Sequence, residues 1–380
     1  MLKKILINCI TMDFGNIEPL LAKVRYWKTQ GYICTLMCSS LFKNKVIKLG
    51  SGSAQFIEID SKNFIMKNKL SFILMALMRN IKAIYFLNSL KKEYDVIYSI
   101  SSVLDLIILP FLLKKANQDI IWTTVFDNTV RLVAVGNVFI RVLSWLFFQF
   151  STVFLKQADK IFTVSIELKE FLIHRGFSAE QIQITGNAIY GVLIKQAIPS
   201  KEYAFDALYV GRLNETKGIY DLLSILEKIK IKYPKFVLAI MGDGDHKTLQ
   251  KFKNKIMKLK LDMNVKFLGY RTGLEKFIIM KSSKSFWFFS HSESFGISLL
   301  EAVCCGLPAF AYDLPVYYNI YKNNEVCLIK KYNYEEAVIN ILKLFENNRF
   351  VFDHGEKFLD NYCWDTIAQL ECEHFTKVIL

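Results

Sequence analysis

The sequence predicts an α/β protein with two domains, each built on a doubly wound parallel sheet. The chain has 380 residues, which is more than a single core usually supports and fits two domains of ordinary size. Short apolar runs alternate with helix-length segments along most of the chain, and this alternation indicates parallel strands joined by helices. Hydrophobic residues make up 52% of the chain, so no long stretch is expected to be disordered.

The first predicted domain covers residues 1–198. Its opening segment has a charged start, a short apolar run and no cleavage-like site, so it reads as a first strand and not as a signal peptide. No G-x-G-x-x-G follows that strand, which argues against a dinucleotide-dependent oxidoreductase. Further strands are expected at 33–37, 55–59, 95–100 and 119–126.

The second predicted domain covers residues 199–357, with Pro199 and Ser200 at its boundary. Apolar runs and helix-length segments alternate here without interruption, as expected for a second parallel sheet. We expect its strands near Ala207, Phe236, Val265, Phe286, Ala309 and Val326.

The chain is strongly basic, with 49 Lys and Arg against 35 Asp and Glu and a net charge of +14. Nucleic acid, an anionic membrane surface or phosphorylated substrates would each fit this charge. A bias toward lysine without any such partner fits it as well. The eight cysteines show neither C-x-x-C nor metal-ligand spacing. Because most of them stand among apolar residues, we expect reduced, buried thiols in a cytoplasmic protein.

The most informative stretch is residues 285–312, which reads as strand, polar loop, helix and second strand. The helix begins near Gly296, and its first N–H groups lack internal partners, so they form a site for a phosphate. Glu293 in the loop and Glu301 in the helix are then placed to accept hydrogen bonds from sugar hydroxyls. On the alternative interpretation, Glu293 caps the helix and Glu301 is a surface residue. His291 is left open between a donor contact and a structural role.

A second cluster follows the strand predicted at 206–210. Gly211 permits a tight turn and a close approach of the backbone to a ligand. Arg212 offers a planar fork that suits phosphate oxygens, and Lys217 adds a charge just before a helix begins. The two cations flank a loop at the carboxyl end of a strand, where open α/β sheets bind ligands. The alternative is a pair of solvated surface cations.

Together with Met241-Gly-Asp-Gly244, these clusters resemble, in order and spacing, the retaining nucleotide-sugar-dependent glycosyltransferases of family 4. The E-x7-E element from Glu293 to Glu301, with its G-L-P tail, is the specific part of the resemblance. The resemblance is dense from about residue 158 onward. It implies the GT-B architecture, in which two Rossmann-like domains face a central cleft, and a closing segment, residues 358–380, that packs back on the N-terminal domain.

The resemblance also implies a reaction. A sugar would pass from a nucleoside-diphosphate sugar to a saccharide or lipid-linked acceptor, with retention of anomeric configuration, in cell-envelope polysaccharide or glycolipid synthesis. Catalysis is expected from Glu293, Arg212 and Lys217, with the diphosphate held by the two cations and the helix start. Because no D-x-D stands in place, no metal is expected, and no cofactor beyond the co-substrate. The expected donor-binding residues are Gly211, Gly242, Ser294, Phe295, Gly296, Ile297 and Glu301, the last of these on the ribose.

The acceptor side of the site is less well defined by the sequence. Gly15 is the one glycine in a loop where the family usually carries several. Where relatives often carry a His, this chain has Phe126 followed by Asp127. Asp127 is therefore a candidate for orienting the acceptor, and the alternative is that it caps the next turn. We take Gly15 and Asp127 as the acceptor-side residues.

Two segments of the first domain, 67–90 and 138–156, are unusually apolar. The uncharged core 142–155 is shorter than the roughly 20 residues needed to span a bilayer. It is either a buried helix or part of a cationic, amphipathic surface that rests on anionic lipid with Trp145 inserted. The second alternative places the protein peripherally on the inner face of the cytoplasmic membrane.

Two other functional classes remain open. One is a different GT-B-type enzyme, such as a nucleotide-sugar epimerase. The other is a basic protein with a decayed active site that binds a membrane surface or nucleic acid. The presence of Arg212, Lys217, Glu293 and Glu301 together speaks against decay, and it disfavours nucleic acid as the partner.

Overall fold

The computed structural model describes residues 3–13, 17–49, 54–59, 69–130, 138–347 and 355–379. The chain forms two compact units. The first consists of residues 1–186 and 364–380, and the second of residues 187–363. The domain boundaries expected from the sequence at 198/199 and 357/358 stay a prediction, and the units below are those in which residues pack together.

The first unit is built on a seven-stranded sheet in which every pairing is parallel. The strand order is β3-β2-β1-β4-β5-β6-β7, so the order reverses between β1 and β4. At such a reversal the loops after neighbouring strands diverge, which opens a crevice at the carboxyl ends. The strands are β1 Lys4–Asn8, β2 Ile33–Cys38, β3 Gln55–Glu58, β4 Val96–Ser99, β5 Ile121–Phe126, β6 Lys160–Thr163 and β7 Ile182–Ile184.

Helices join these strands and cover both faces of the sheet. The helices are α1 Glu18–Thr29, α2 Ser40–Lys48, α3 Lys69–Tyr85, α4 Leu87–Glu93, α5 Leu104–Ala116, α6 Val138–Leu155 and α7 Ile166–His174. Right-handed crossovers place α3, α5 and α6 on one face, because the connections that carry them run in the same direction across the sheet. Both α3 and α6 contact α5. No helix in the described part of the chain combines the length and the hydropathy needed to cross a membrane.

The second unit contains a six-stranded parallel sheet with the order β10-β9-β8-β11-β12-β13. Its strands are β8 Ala207–Val210, β9 Leu238–Met241, β10 Val265–Gly269, β11 Phe286–Phe288, β12 Ala309–Tyr312 and β13 Val326–Ile329. Its helices are α8 Gly191–Gln196, α9 Ile219–Lys232, α10 His246–Lys258, α11 Gly273–Ser282, α12 Ile297–Cys304, α13 Tyr334–Asn347 and α14 Lys357–Asn361. The strand order reverses at β8, so the loops after β8 and β11 meet at the carboxyl edge. The predicted fold class, two doubly wound parallel sheets, is confirmed.

The chain then returns to the first unit as α15, Trp364–Ile379, which packs against α1. The indole N–H of Trp27 donates to the carbonyl of Ala368 over 3.1 Å. The ammonium of Lys23 lies 2.6 Å from Glu371 and 2.8 Å from the hydroxyl of Tyr98, which itself donates to Glu371 over 2.8 Å. All three side chains are buried, so α15 completes a polar network inside the first unit.

Candidate active site

The loops after β8 and β9 pack backbone against backbone in the second unit. The N–H of Gly211 donates to the carbonyl of Met241 over 3.0 Å, and the N–H of Leu213 donates to that of Asp243 over 2.8 Å. Gly242 has φ +148°, and a Cβ there would lie 1.9 Å from the carbonyl oxygen of Gly211. Only glycine allows this approach, so Gly211 and Gly242 shape the loop that carries the two predicted cations.

The end of the β8 loop is fixed against the end of β11. Gly218 has φ +68°, and a Cβ there would lie 1.8 Å from the carbonyl oxygen of Phe289. The N–H of His291 donates to the carbonyl of Thr216 over 2.8 Å, and Asn214 accepts from the N–H of Lys217 over 3.0 Å. These contacts hold Lys217 beside the loop that contains the first predicted glutamate.

Lys217 and Glu293 form a direct ion pair. The Lys217 Nζ lies 2.5 Å from Glu293 Oε1, and the two side chains are 19% and 9% exposed. Burial and then the nearby Glu293 carboxylate raise the pKa of the Tyr209 and Tyr317 hydroxyls, so both stay protonated at neutral pH. The structure therefore brings together two of the three residues predicted for catalysis.

The start of α12 follows this pair directly. Gly296, and not Glu293, is the N-terminal cap of α12 at φ +87°, and as a glycine it gives no side-chain cap hydrogen bond, so the interpretation of Glu293 as the cap is wrong. Phe295 is buried and packs edge to face on Tyr362 with ring centroids 5.6 Å apart, whereas Ile297 is exposed. The first N–H groups of α12 thus remain available to an anion beside Lys217.

Glu301 lies within α12 and is buried, so its interpretation as a surface residue is wrong. Its Oε2 lies 2.5 Å from the Nζ of Lys276 on α11. Burial raises the pKa of the Glu301 carboxyl, and the lysine acts in the opposite direction. The sequence analysis did not predict a role for Lys276. Both predicted glutamates are therefore paired with a lysine.

Arg212 is exposed on the β8 loop. Among the residues the structure describes, its guanidinium has no ion-pair partner. As far as the described residues go, its five N–H donors are thus available to a phosphate, unlike the ammonium of Lys217. Nor do the described residues include three His, Cys, Asp or Glu side chains close enough together to hold a metal ion.

Comparison with known proteins shows that most of the second unit is similar to one family. Residues 193–358 match the family Glycosyl transferases group 1. An uncharacterized glycosyltransferase of Methanocaldococcus jannaschii is 26% identical over 275 residues, which is 67% of this chain and 65% of that protein. A phosphatidyl-myo-inositol mannosyltransferase of Mycobacterium tuberculosis is 31% identical over 121 residues, 31% of each chain. The alignments thus span less than two thirds of the length of these relatives.

Two solved structures share the fold of this chain over almost its whole length. Anabaena HepE in complex with UDP and glucose superposes with a TM-score of 0.72 at 15% identity, covering 99% of this chain and 100% of HepE. Sucrose-phosphate synthase of Thermosynechococcus elongatus gives a TM-score of 0.74 at 15% identity, covering 99% of both chains. The group 1 region therefore belongs to a chain with the GT-B fold.

One cluster in the group 1 region was missed by the sequence analysis. The Nε2 of His291 lies 2.7 Å from Asp221 Oδ2, and Asp221 also accepts from the hydroxyls of Tyr312 and Tyr334 over 2.8 and 3.0 Å. This network joins the start of α9 to the loop before Glu293. An aspartate among the apolar residues of α9 was the available signal, because a buried carboxylate requires partners.

The acceptor-side predictions fall in the first unit. Gly15 lies outside the described residues. Asp127 is exposed just after β5. Desolvation by the surrounding protein atoms nevertheless raises the pKa of its carboxyl, whereas a hydrogen bond with its own backbone and the charge of Lys23 lower it. The sequence analysis missed a buried ion pair after β1, in which Arg79 lies 2.8 Å from Asp13.

Proposed function

We propose that the protein is a retaining glycosyltransferase of family 4, which transfers a sugar from a nucleoside-diphosphate sugar to a saccharide or lipid-linked acceptor. We place this reaction in cell-envelope polysaccharide or glycolipid synthesis. The observation that carries the proposal is the Lys217–Glu293 ion pair, whose charged atoms lie 2.5 Å apart beside the start of α12, where the cap residue is a glycine. The match to group 1 glycosyl transferases and the likeness to a structure that holds UDP and glucose support it.

The proposed roles follow from charge and position. The diphosphate lies against Arg212, Lys217 and the first N–H groups of α12. Positive charge and aligned N–H groups stabilise the negative charge that develops on the leaving group. Glu293 accepts a hydrogen bond from the donor sugar and Glu301 from the ribose. The cations supply the charge that a metal would otherwise provide, so we expect transfer without one.

The proposal also covers the stereochemistry of the transfer and the binding of the acceptor. Retention rests on the E-x7-E spacing from Glu293 to Glu301 and on the resemblance it carries. Asp127, exposed at the carboxyl end of β5, is proposed to orient the acceptor hydroxyl. A carboxylate suits this task because it accepts a hydrogen bond from a hydroxyl.

Binding of a nucleotide tests the donor class most directly. Thermal unfolding is measured with UDP, GDP, ADP and their sugars, since a ligand that binds only the folded state raises Tm. We expect one nucleotide to raise Tm by several degrees in the wild type and in Arg25→Ala, a matched change on an exposed arginine of α1. Arg212→Ala should lose the shift. The absence of any shift in the wild type would overturn the proposal, and an epimerised sugar nucleotide formed without acceptor would favour the epimerase.

The apolar helices of the first unit supply a surface for the proposed membrane contact. One face of α6 exposes five apolar residues at helical spacing, namely Val138, Val142, Leu146, Phe150 and Val153. The outer face of α3 exposes six more, Leu74, Leu77, Met78, Ile81, Ile84 and Tyr85. Neither helix contains an Asp or Glu, whereas together they contain four Lys and Arg, of which Arg79 is buried in its pair with Asp13. We propose that this face, the α3–α6 face, rests on an anionic membrane.

Replacing apolar residues of the α3–α6 face should release the protein from vesicles. Phe150 and Val153 are 55% and 61% exposed, so Phe150→Ser with Val153→Ser removes contact area at little cost to the core. We expect binding to vesicles with roughly one third anionic lipid to fall about tenfold or more, as measured by sedimentation. Ile231→Ser with Met263→Ser, a matched pair on the second unit, should bind as the wild type does. Equal binding by both double variants would refute this contact.

A further inference from the structure

We propose that Lys276 is a positioning residue of the nucleotide subsite, which makes the site selective for ribose over 2′-deoxyribose by holding Glu301 as a buried carboxylate. The inference rests on the proposed function, because it takes Glu301 as the residue that accepts from the ribose. Neither the predicted motifs nor the resemblance includes Lys276.

The geometry of the pair carries this inference. Lys276 lies on α11 and Glu301 on α12, and their charged atoms are 2.5 Å apart. The Glu301 side chain is 2% exposed and that of Lys276 is 18% exposed. Among the described residues, Lys276 is the one cation within ion-pair distance of Glu301. The carboxylate is therefore isolated from solvent, while its lysine partner remains accessible at the edge.

The charge of Glu301 depends on this lysine. Burial disfavours the ionised form and raises the pKa of the carboxyl, and Lys276 offsets part of that effect. The neighbouring thiols add no charge at neutral pH, because burial raises the pKa of Cys304 well above its usual range and that of Cys305 to about 12. Lys281 acts on Cys305 from the same helix as Lys276 and forms no ion pair with Glu301 among the described residues.

An ionised carboxylate can accept one hydrogen bond from each hydroxyl of a ribose diol. A protonated carboxyl loses part of this capacity, because one of its oxygens becomes a donor. A 2′-deoxyribose leaves one buried acceptor site without a partner, and such a group carries its full desolvation penalty. Lys276 thereby turns a buried acid into an acceptor that distinguishes the two sugars.

Calorimetric titration with UDP and 2′-deoxy-UDP, or with the corresponding GDP or ADP pair if one of those nucleotides raises Tm, tests the inference. Lys281→Met is the matched control. We expect the wild type, Lys276→Arg and Lys281→Met to prefer UDP by about tenfold or more at neutral pH. In Lys276→Met the preference should fall to about twofold, and UDP should bind about tenfold more weakly. Its affinity should recover as pH rises, because the carboxyl, whose pKa is raised further without the lysine, then ionises.

Glu301→Gln separates loss of charge from loss of fold. It should lose the preference for UDP at every pH and show no recovery, since an amide does not titrate. If Lys276→Met melts below the assay temperature, Lys276→Gln takes its place, because it also removes the positive charge while keeping a polar side chain. A full preference for UDP in Lys276→Met, or a pH profile like that of the wild type, would overturn the inference. Failure of the wild type to bind UDP, GDP or ADP, by contrast, would overturn the nucleotide site and with it the proposed function.

Discussion

Lys217→Met and Glu293→Gln are each expected to lower kcat for sugar transfer by about 10²–10³-fold. Lys217 supplies charge where the leaving diphosphate becomes negative, and Glu293 holds the donor sugar. Each single change also leaves one partly buried charge without its partner, because the two side chains are 19% and 9% exposed. A moderate fall in Tm should accompany each loss of activity.

The double variant Lys217→Met with Glu293→Gln separates the two effects. Removing both charges leaves no unpaired ion, so Tm should return toward the wild-type value while kcat stays low. Lys228→Met is the matched control, since it breaks an exposed 2.6 Å pair with Glu335 in the same unit. We expect it to leave kcat unchanged. Near-normal turnover in both single variants would contradict the assignment of this site.

Glu371→Gln is expected to destabilise the first unit by about 3–5 kcal/mol. The change leaves the ammonium of Lys23 buried against α15 with neutral partners, the hydroxyl of Tyr98 and the new amide oxygen, in place of a counter-charge. Such a charge is costly because neither water nor a counter-ion solvates it. The measurement is hydrogen–deuterium exchange of peptides from α1 and β4, which should speed up while peptides from β9 and β12 do not.

Two further variants serve as controls for Glu371→Gln. Glu373 lies on the exposed side of α15, and its one partner among the described residues is Gln369, from which it accepts over 2.9 Å. Exchange in Glu373→Gln should therefore match that of the wild type. Lys23→Met with Glu371→Met replaces the pair by apolar groups, and it should recover most of the lost protection. Unchanged exchange in Glu371→Gln would show that the hydroxyl of Tyr98 alone satisfies Lys23.

Much of the fold follows from local patterns along the chain. The alternation of apolar runs and helical segments places strands in the correct order, and residues 285–312 contain β11, α12 and β12 as expected. The ends of strands are less predictable, because pairing with neighbours decides where the ladder begins. The expected strand near Phe236, for example, is β9 at Leu238–Met241.

The candidate site likewise contains residues that the sequence predicts and residues that it does not. Lys217 and Glu293 could be placed together because both follow strands that meet at one sheet edge, and motif spacing identifies such ends. Lys276 could not be placed at the site, since a lysine next to a glutamate on a helix has the pattern of a solvated surface residue. Asp221 was missed for a related reason, because its partners come from β12, α13 and the β11 loop. Tertiary packing alone selects these pairs from many equivalent residues.

The return of α15 to the first unit also sets an order of events during synthesis. Ribosomes add roughly 5–20 residues per second, so the chain between the two parts of the first unit, residues 187–363, takes about 9–35 s to emerge. During that interval Lys23 and Tyr98 are present, but Glu371 has not yet been made. The second unit can thus fold on the ribosome before the first is complete, and the nascent first unit presents an open groove along α1 to chaperones until the last helix arrives.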